Sequence, residues 1–318
     1  RNSLYIDMVT LPLYMFEKQT GLHPKYKFMP RKNSIMNLVL EPHNFISSSA
    51  ASFYKNSVIN KMKFDETMYG SEDTKFNCEI LSDSCKYGYV CNKGVKYHYR
   101  KRNEENSIVD SIQHNIQGFT SALMVFSTFD LDNLLSYQKE IIVYELRSRL
   151  RIIKQELFDE KEDYVYVIKQ YKKYINLLSI EFILYQSKWL ETIDQKVLFL
   201  NMKDKKYEDV IKSKNSSVSN LSINIKNYYI KKSKVIIEII FYNFLYDDLD
   251  VIAYDGNNQI YNYVYSYDEE GPYDLYYGDF ALDKTHYRRF EFDIYNPKTL
   301  RFAFINKKTK KIHPIKKI

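Results

Sequence analysis

Residues 63–102 read KFDETMYGSEDTKFNCEILSDSCKYGYVCNKGVKYHYRKR, and the fold turns on how this stretch is read. Gly70 permits a turn and Ser71 is a good N-cap residue. Glu72 and Asp73 then fall in a first helical turn, where the helix dipole favours anions. Phe76, Ile80 and Leu81 form the buried stripe of a short helix. Residues 85–95 alternate enough for one or two short strands, and the basic run His98-Tyr99-Arg100-Lys101-Arg102 is expected at a strand end or loop. A carboxylate pair and a set of phosphate-capable donors would then face each other across a cleft. On the residues alone, a dipole-partner role for the carboxylates and a solvated face for the basic run are the commoner readings.

A resemblance reaches the same residues. The ordered pattern FDE, GSEDTKF, KYGYV, YHYRKR and NSIV resembles the acceptor half of bacterial glycosyltransferase family 2 enzymes with the GT-A fold, of the capsule and teichoic-acid type, over about residues 1–110. The resemblance implies inverting transfer of a sugar from a nucleotide-sugar donor to a cell-surface polymer, an anionic polysaccharide or polyol phosphate. It makes Asp73 the base that deprotonates the acceptor hydroxyl, with Glu72 beside it, because a sugar hydroxyl is a poor nucleophile until its proton is being removed. It gives His98, Arg100, Arg102 and Ser107 to the departing diphosphate. The full-length family also implies a divalent cation, Mn²⁺ or Mg²⁺, on an Asp-x-Asp motif that precedes the base. Here Asp-x-Asp occurs only after Asp73, at residues 130–132 and 248–250, where the first reads as a helix boundary and the second as a turn. No metal ligand is therefore assigned. No GxGxxG or GxxxxGK[ST] loop offers another phosphate cradle. The chain begins at Arg1 and is expected to lack the family's N-terminal nucleotide-binding half.

Composition sets the outer limits. The 318 residues carry a formal net charge of +7 with only 8 Gly and 7 Pro, which indicates a globular, mildly basic chain suited to an anionic polymer, a nucleotide-sugar or an acidic membrane surface. No nucleic-acid recognition motif is present. Cys78, Cys85 and Cys91 match no zinc spacing and read as buried reduced thiols. With no signal peptide or membrane-spanning run, the expected location is the cytoplasm, at the inner face of the bacterial membrane. The lysine-rich residues 307–317 offer a peripheral membrane contact there, or simply a solvated terminus.

In chain order, residues 4–9 with Leu11 and Leu13 suggest a strand, 20–24 a turn and 34–40 a short apolar element. By resemblance, His23 would lie near substrate, and Ser48 and Ser49 would sit beneath the sugar, where small side chains allow close approach. The plain alternative is that all three are turn residues. A helix is expected from near Ser52, carrying Phe53, Tyr54 and Val58. Four further helices are read from the stripes Ile112/Ile116/Phe119/Leu123, Leu135/Ile142/Leu146/Ile153/Leu157, Ile168/Tyr171/Ile175/Leu178/Phe182 and Trp189/Leu190/Val197/Leu200, with Asp130 or Asp132 capping the second. The third offers a face for a homo-oligomeric coiled coil. After a polar linker at 203–220 the period becomes two, and at least six strands suggest an antiparallel sandwich. Tyr261, Tyr263 and Tyr265, with Tyr267, are read as one strand face, either packed or stacking on carbohydrate. The sequence thus describes an α+β multidomain chain: residues 1–108 a partial GT-A α/β unit, 109–216 a helical middle region, and 217–318 a β-sandwich accessory domain. The rival reading is a non-catalytic polymer-binding or oligomerisation protein on a transferase scaffold.

Overall fold

A computed structural model describes residues 6–92, 94–103, 116–205, 210, 224–231, 234–241, 249–255, 259–277, 280–294, 300–307, 310 and 312–314. The chain is an α+β protein with several separate sheets. It divides into two compact units, Arg1–Glu191 and Thr192–Ile318. The boundaries expected after 108 and 216 do not coincide with this division, because the middle helices pack onto the first sheets' own helix and turns.

In the first unit the strands are β1 (Met8–Thr10), β2 (Leu13–Glu17), β3 (Gly21–Leu22), β4 (Ser34–Asn37), β5 (Ser52–Tyr54), β6 (Lys86–Tyr89) and β7 (Tyr97–Lys101). Two passes of chain run side by side: β1 is parallel to β6, and β2 is parallel to β7. They build a four-stranded sheet, β4-β6-β1-β5, and a three-stranded sheet, β3-β2-β7. Close approach of β1 and β6 depends on Gly88, where a Cβ would lie 3.0 Å from Val9 Cγ2.

The helices of this unit are α1 (Asn56–Ile59), α2 (Glu72–Leu81), α3 (Ile116–Phe126), α4 (Ser136–Ile152) and α5 (Lys161–Asn176). As the period demands, α2 buries Phe76, Ile80 and Leu81. It packs against α3, which packs in turn on α4 and α5. Phe119, Val125, Ile142, Leu146 and Ile175 fill the space between them. The Tyr171 hydroxyl donates to the Phe119 carbonyl at 2.6 Å, tying α5 to α3. In front of α2, Lys75 pairs with Asp65 at 2.6 Å. That ammonium, helped by Thr67, holds the Asp65 carboxyl at about 2. A carboxyl depressed on folding contributes stability above its unfolded value and loses it as pH falls through its folded value. Asp65→Asn is therefore expected to lower the urea midpoint at pH 7, with the two proteins converging as pH falls towards 2. A constant difference across that pH range would overturn this assignment.

Several local expectations are corrected. Residues 52–54 are a strand, because they pair antiparallel with β1 from Thr10↔Ser52 to Met8↔Tyr54. Ser71 is not a side-chain N-cap but takes φ +60° with its hydroxyl turned elsewhere. Neither Asp130 nor Asp132 caps α4, whose N-cap position is Leu135, with its N–H donating to Gln138 at 2.9 Å. The basic run, expected at a strand end or loop, forms most of strand β7, with Arg102 directly after it. Ser107 lies outside the described residues. Among the described residues, no helix is long and apolar enough to cross a membrane.

The second unit begins with α6 (Ile193–Met202), opened by a capping box in which Thr192 and Gln195 bond each other's backbone N–H. Trp189 and Leu190 therefore precede this helix rather than belong to it. The strands are β8 (Asn224–Lys231), β9 (Lys234–Phe241), β10 (Leu249–Tyr254), β11 (Ile260–Asn262), β12 (Tyr265–Tyr277), β13 (Phe280–Asp293), β14 (Arg301–Asn306) and β15 (Ile312–Pro314). They form two four-stranded antiparallel sheets, β12-β13-β9-β8 and β11-β10-β14-β15. Phe292 of the first lies 5.8 Å from Phe302 of the second. The tyrosine row is not one strand face, since Tyr261 lies in β11 and Tyr265 opens β12 of the other sheet. Tyr263, between them, packs its ring 5.1 Å from Phe290. Tyr261 donates to Asp255 at 3.2 Å.

Candidate active site

The first unit holds a cleft of about 550 Å³, a volume suited to a small ligand or one or two polymer units. Its walls come from β2 and β7, the segment after β3, the small-residue loop before β5, the N-terminus of α2 and the middle of α4. Glu72, Asp73 and Ser48 line it. Ser49 does something more specific: its hydroxyl donates to Asp73 Oδ1, fixing the carboxylate and leaving Oδ2 as the second acceptor. Both carboxylates occupy the first turn of α2, at the positive end of its dipole. Burial, with the neighbouring Asp73 and Glu145 charges, pushes the Glu72 carboxyl above the usual range.

The basic strand divides by parity. Its partners across the parallel ladder are Tyr14↔His98, Met15↔Tyr99 and Phe16↔Arg100. Leu13, Met15, Tyr99 and Lys101 line the cleft. His98 instead packs between the Tyr14 and Phe16 rings at 6.0 and 6.2 Å, and Arg100 pairs with Glu17 at 2.5 Å. The expectation that His98 and Arg100 face the carboxylates is corrected for this reason: side chains alternate along a strand, and these two fall on the other face. Arg102 follows the strand, is exposed, and is not among the lining residues.

Two features had no sequence signal strong enough to find them. The first is a buried polar knot behind Asp73. Ser71, held in the left-handed region, donates to Glu145 Oε2 at 2.9 Å and accepts from Arg149 Nη2 at 2.8 Å. Arg149 also reaches Glu145 Oε2 at 2.5 Å and the Gly118 carbonyl at 2.8 Å. Thr74 Oγ1 lies 3.2 Å from Glu145 Oε1. A non-glycine residue at positive φ is strained, and this knot holds it there. The Glu145–Arg149 spacing of four on α4 was the one visible hint.

The second feature is Lys25, 4% exposed, with Nζ 2.9 Å from the centroid of Phe45, 4.3 Å from Trp189 and 4.4 Å from Tyr144. Among the described residues, this buried Nζ has no hydrogen-bond partner. Burial, then Arg147, pushes its amine well below the ordinary lysine range. Lys25 and its neighbour His23 both line the cleft. His23 Nδ1 accepts the Lys25 backbone N–H at 3.2 Å, so the neutral ring carries its proton on Nε2. Burial and the Lys25 charge lower the His23 imidazole.

Among the described residues, no three His, Cys, Asp or Glu side chains gather as a ligand set. Asp130, of the first Asp-x-Asp, accepts the Asp132 N–H at 3.1 Å and Asn133 Nδ2 at 2.9 Å, closing a turn. The second motif begins at Asp248, outside the described residues. The three cysteines are free: Cys78 and Cys85 are buried and Cys91 partly exposed.

No family model matches the chain. Among curated proteins it is similar to the minor teichoic acid biosynthesis protein GgaB of Bacillus subtilis strain 168, 29% identical over 183 residues, which are 54% of this chain and 20% of GgaB. It is also similar to the minor teichoic acid biosynthesis protein GgaA of the same organism, 25% identical over 178 residues, or 52% of this chain and 40% of GgaA. The chain thus covers well under half the length of either relative.

Proposed function

We propose that this chain is the acceptor-side portion of an inverting glycosyltransferase that acts on a bacterial cell-wall polymer, with Asp73 as the catalytic base. The observation that carries the reading is Asp73 itself: a carboxylate on a cleft wall, at a helix N-terminus, with one oxygen bonded by Ser49 and the other left to accept a proton. The similarity to two teichoic acid biosynthesis proteins supports the choice of polymer. In this reading an acceptor hydroxyl gives its proton to Asp73 as its oxygen bonds to the anomeric carbon of a nucleotide-sugar, and the bond to the nucleoside diphosphate breaks on the opposite face of the ring. Ser48, Ser49 and Ala50 are small enough to let a sugar ring approach the backbone. Glu72, whose carboxyl ionises less readily, helps shape the wall beside the base. His98 and Arg100 have no part in this step.

Isothermal titration of the chain with poly(ribitol phosphate) or poly(glycerol phosphate), and separately with UDP-sugars and CDP-glycerol, tests the reading. Saturable polymer binding that is weakened by a bulky Ser48→Phe change is the expected result. Nucleotide binding with no polymer binding, or binding of neither, would overturn it.

A further inference from the structure

The three-stranded sheet β3-β2-β7 has two faces, and the cleft uses one of them. Leu13, Met15, Tyr99 and Lys101 line the cleft. The pairs Tyr14↔Leu22, Tyr14↔His98 and Phe16↔Arg100 set the intervening side chains on the opposite face, since side chains alternate along a strand. There Phe16 is 38% exposed and Leu22 46%, and Lys96, His98 and Arg100 are exposed as well. A sheet face open to water ordinarily carries polar side chains. This one keeps Tyr14, Phe16 and Leu22 across two neighbouring strands.

Cations border these apolar side chains. Lys96 Nζ lies over the Tyr14 ring, 4.1 Å from its centroid. Arg100 continues the same side of β7, where it is shared with Glu17, and Arg102 follows the strand, exposed. The rings do not lie flat: Tyr14 and Phe16 stand at 59° and 66° to His98. Rings tilted in this way give no flat platform for a stacked base or sugar, but they can enter a soft interface side by side. The face is also small. Five residues of strand and three strands span about 17 by 15 Å, or about 250 Å², against the ~800 Å² that each side buries in a stable protein interface. A second copy of the chain or a globular protein therefore finds too little area here. A surface that yields to exposed rings, and carries negative charge for Lys96, Arg100 and Arg102, fits both the size and the sign.

We propose that the outer face of β3-β2-β7 docks on an anionic lipid surface, with Phe16 and Leu22 entering among the headgroups and Lys96, Arg100 and Arg102 meeting their phosphates. Apolar side chains enter such an interface by about 5–10 Å, roughly the reach of a phenylalanine or leucine standing on a sheet. The cleft lies on the other face of the same sheet, so docking leaves its β2 and β7 walls uncovered. This face is distinct from the lysine-rich residues 307–317, which belong to the other unit. It is also independent of the acceptor reading above, and loss of either leaves the other in place.

Vesicle flotation tests this, with the chain mixed with phosphatidylcholine vesicles that contain about one-third phosphatidylglycerol, or with pure phosphatidylcholine. Binding to the anionic vesicles, and little to the neutral ones, is expected. Phe16→Ser is expected to weaken that binding about tenfold, and Lys96→Glu at least as much. Both side chains are exposed, so the melting temperature is expected to hold, which separates a lost contact from a lost fold. Lys154→Glu reverses an exposed charge away from this sheet and is expected to change little. If Lys154→Glu weakens binding as much as Lys96→Glu does, the attraction is only the overall charge and the docking face is overturned. If Lys307→Glu/Lys310→Glu abolishes binding while Phe16→Ser and Lys96→Glu leave it intact, the C-terminal lysines make the contact and the face is again overturned. Equal binding to both kinds of vesicle, or to neither, overturns it too. So does saturable binding of a single-stranded oligonucleotide that depends on Phe16 and Lys96 while vesicles are ignored.

Discussion

In the full-length transferase proposed above, Asp73→Asn is expected to lower glycosyl transfer to a cell-wall polymer by about a thousandfold, within the range that a positioned general base contributes. The fall is expected in kcat, with KM for the polymer nearly unchanged. Asparagine has the shape of aspartate and keeps an oxygen for the Ser49 hydroxyl, so the wall of the cleft is preserved and only proton acceptance is lost. Its position in the first turn of α2 tolerates Asn, so the melting temperature is expected to stay within a few degrees of wild type. Glu72→Gln is expected to cost far less, since burial already disfavours its ionised form. Steady-state assays of the three proteins at one pH decide the matter. Activity of Asp73→Asn within threefold of wild type would remove Asp73 from the chemistry, and equal losses at Glu72 and Asp73 would point to a shared structural role.

Much of this region could be read locally. The apolar stripe of α2 follows from residues three and four apart, and its start follows from Gly70 and the acidic pair. Asp73 lies on a cleft wall, and nothing more than a turn and a helix is needed to put it there. The parity of the basic strand was not legible. Every residue from Tyr97 to Arg102 is polar or amphipathic, so no alternation marks the inward face; that is set by the pairing of Met15 with Tyr99 across the sheet. The strand at 52–54 was hidden likewise, because its identity comes from pairing with β1 rather than from its own three residues. Ser71 and Lys25 depended on still more distant partners. Ser71 is set by residues 74 and 78 positions later. The rings around Lys25 come from Phe45, Tyr144 and Trp189. Such contacts leave no periodic trace. The tyrosine row misled for the converse reason: a period of two persisted across the break between two strands of different sheets.

Arg149→Met is expected to destabilise the first unit by about 3–5 kcal/mol, the loss seen when one partner of a buried ion pair is removed. The guanidinium is 7% exposed and Glu145 6%, so neither charge has water to fall back on. Removing Arg149 strands the Glu145 carboxylate, leaves the Gly118 carbonyl without this donor, and withdraws one of the two bonds that hold Ser71. The loss of fit then reaches the function: with Ser71 free to leave its left-handed backbone, the first turn of α2 shifts and carries Glu72 and Asp73 with it. Polymer binding is therefore expected to fall even at temperatures where the variant remains folded. The comparison that gives the prediction its force is the double variant Glu145→Gln/Arg149→Met. With the charge gone from both sides, it is expected to recover much of the lost stability while Ser71 still lacks its arginine. Trp189 is the single tryptophan of the chain and is buried in this unit, so its fluorescence follows the relevant unfolding transition in urea. A cost below about 1 kcal/mol for Arg149→Met would mean that the pair is solvated and weak. Full stability in the double variant together with unchanged polymer binding would mean that Ser71 keeps its backbone unaided, and that the cleft does not depend on the knot behind it.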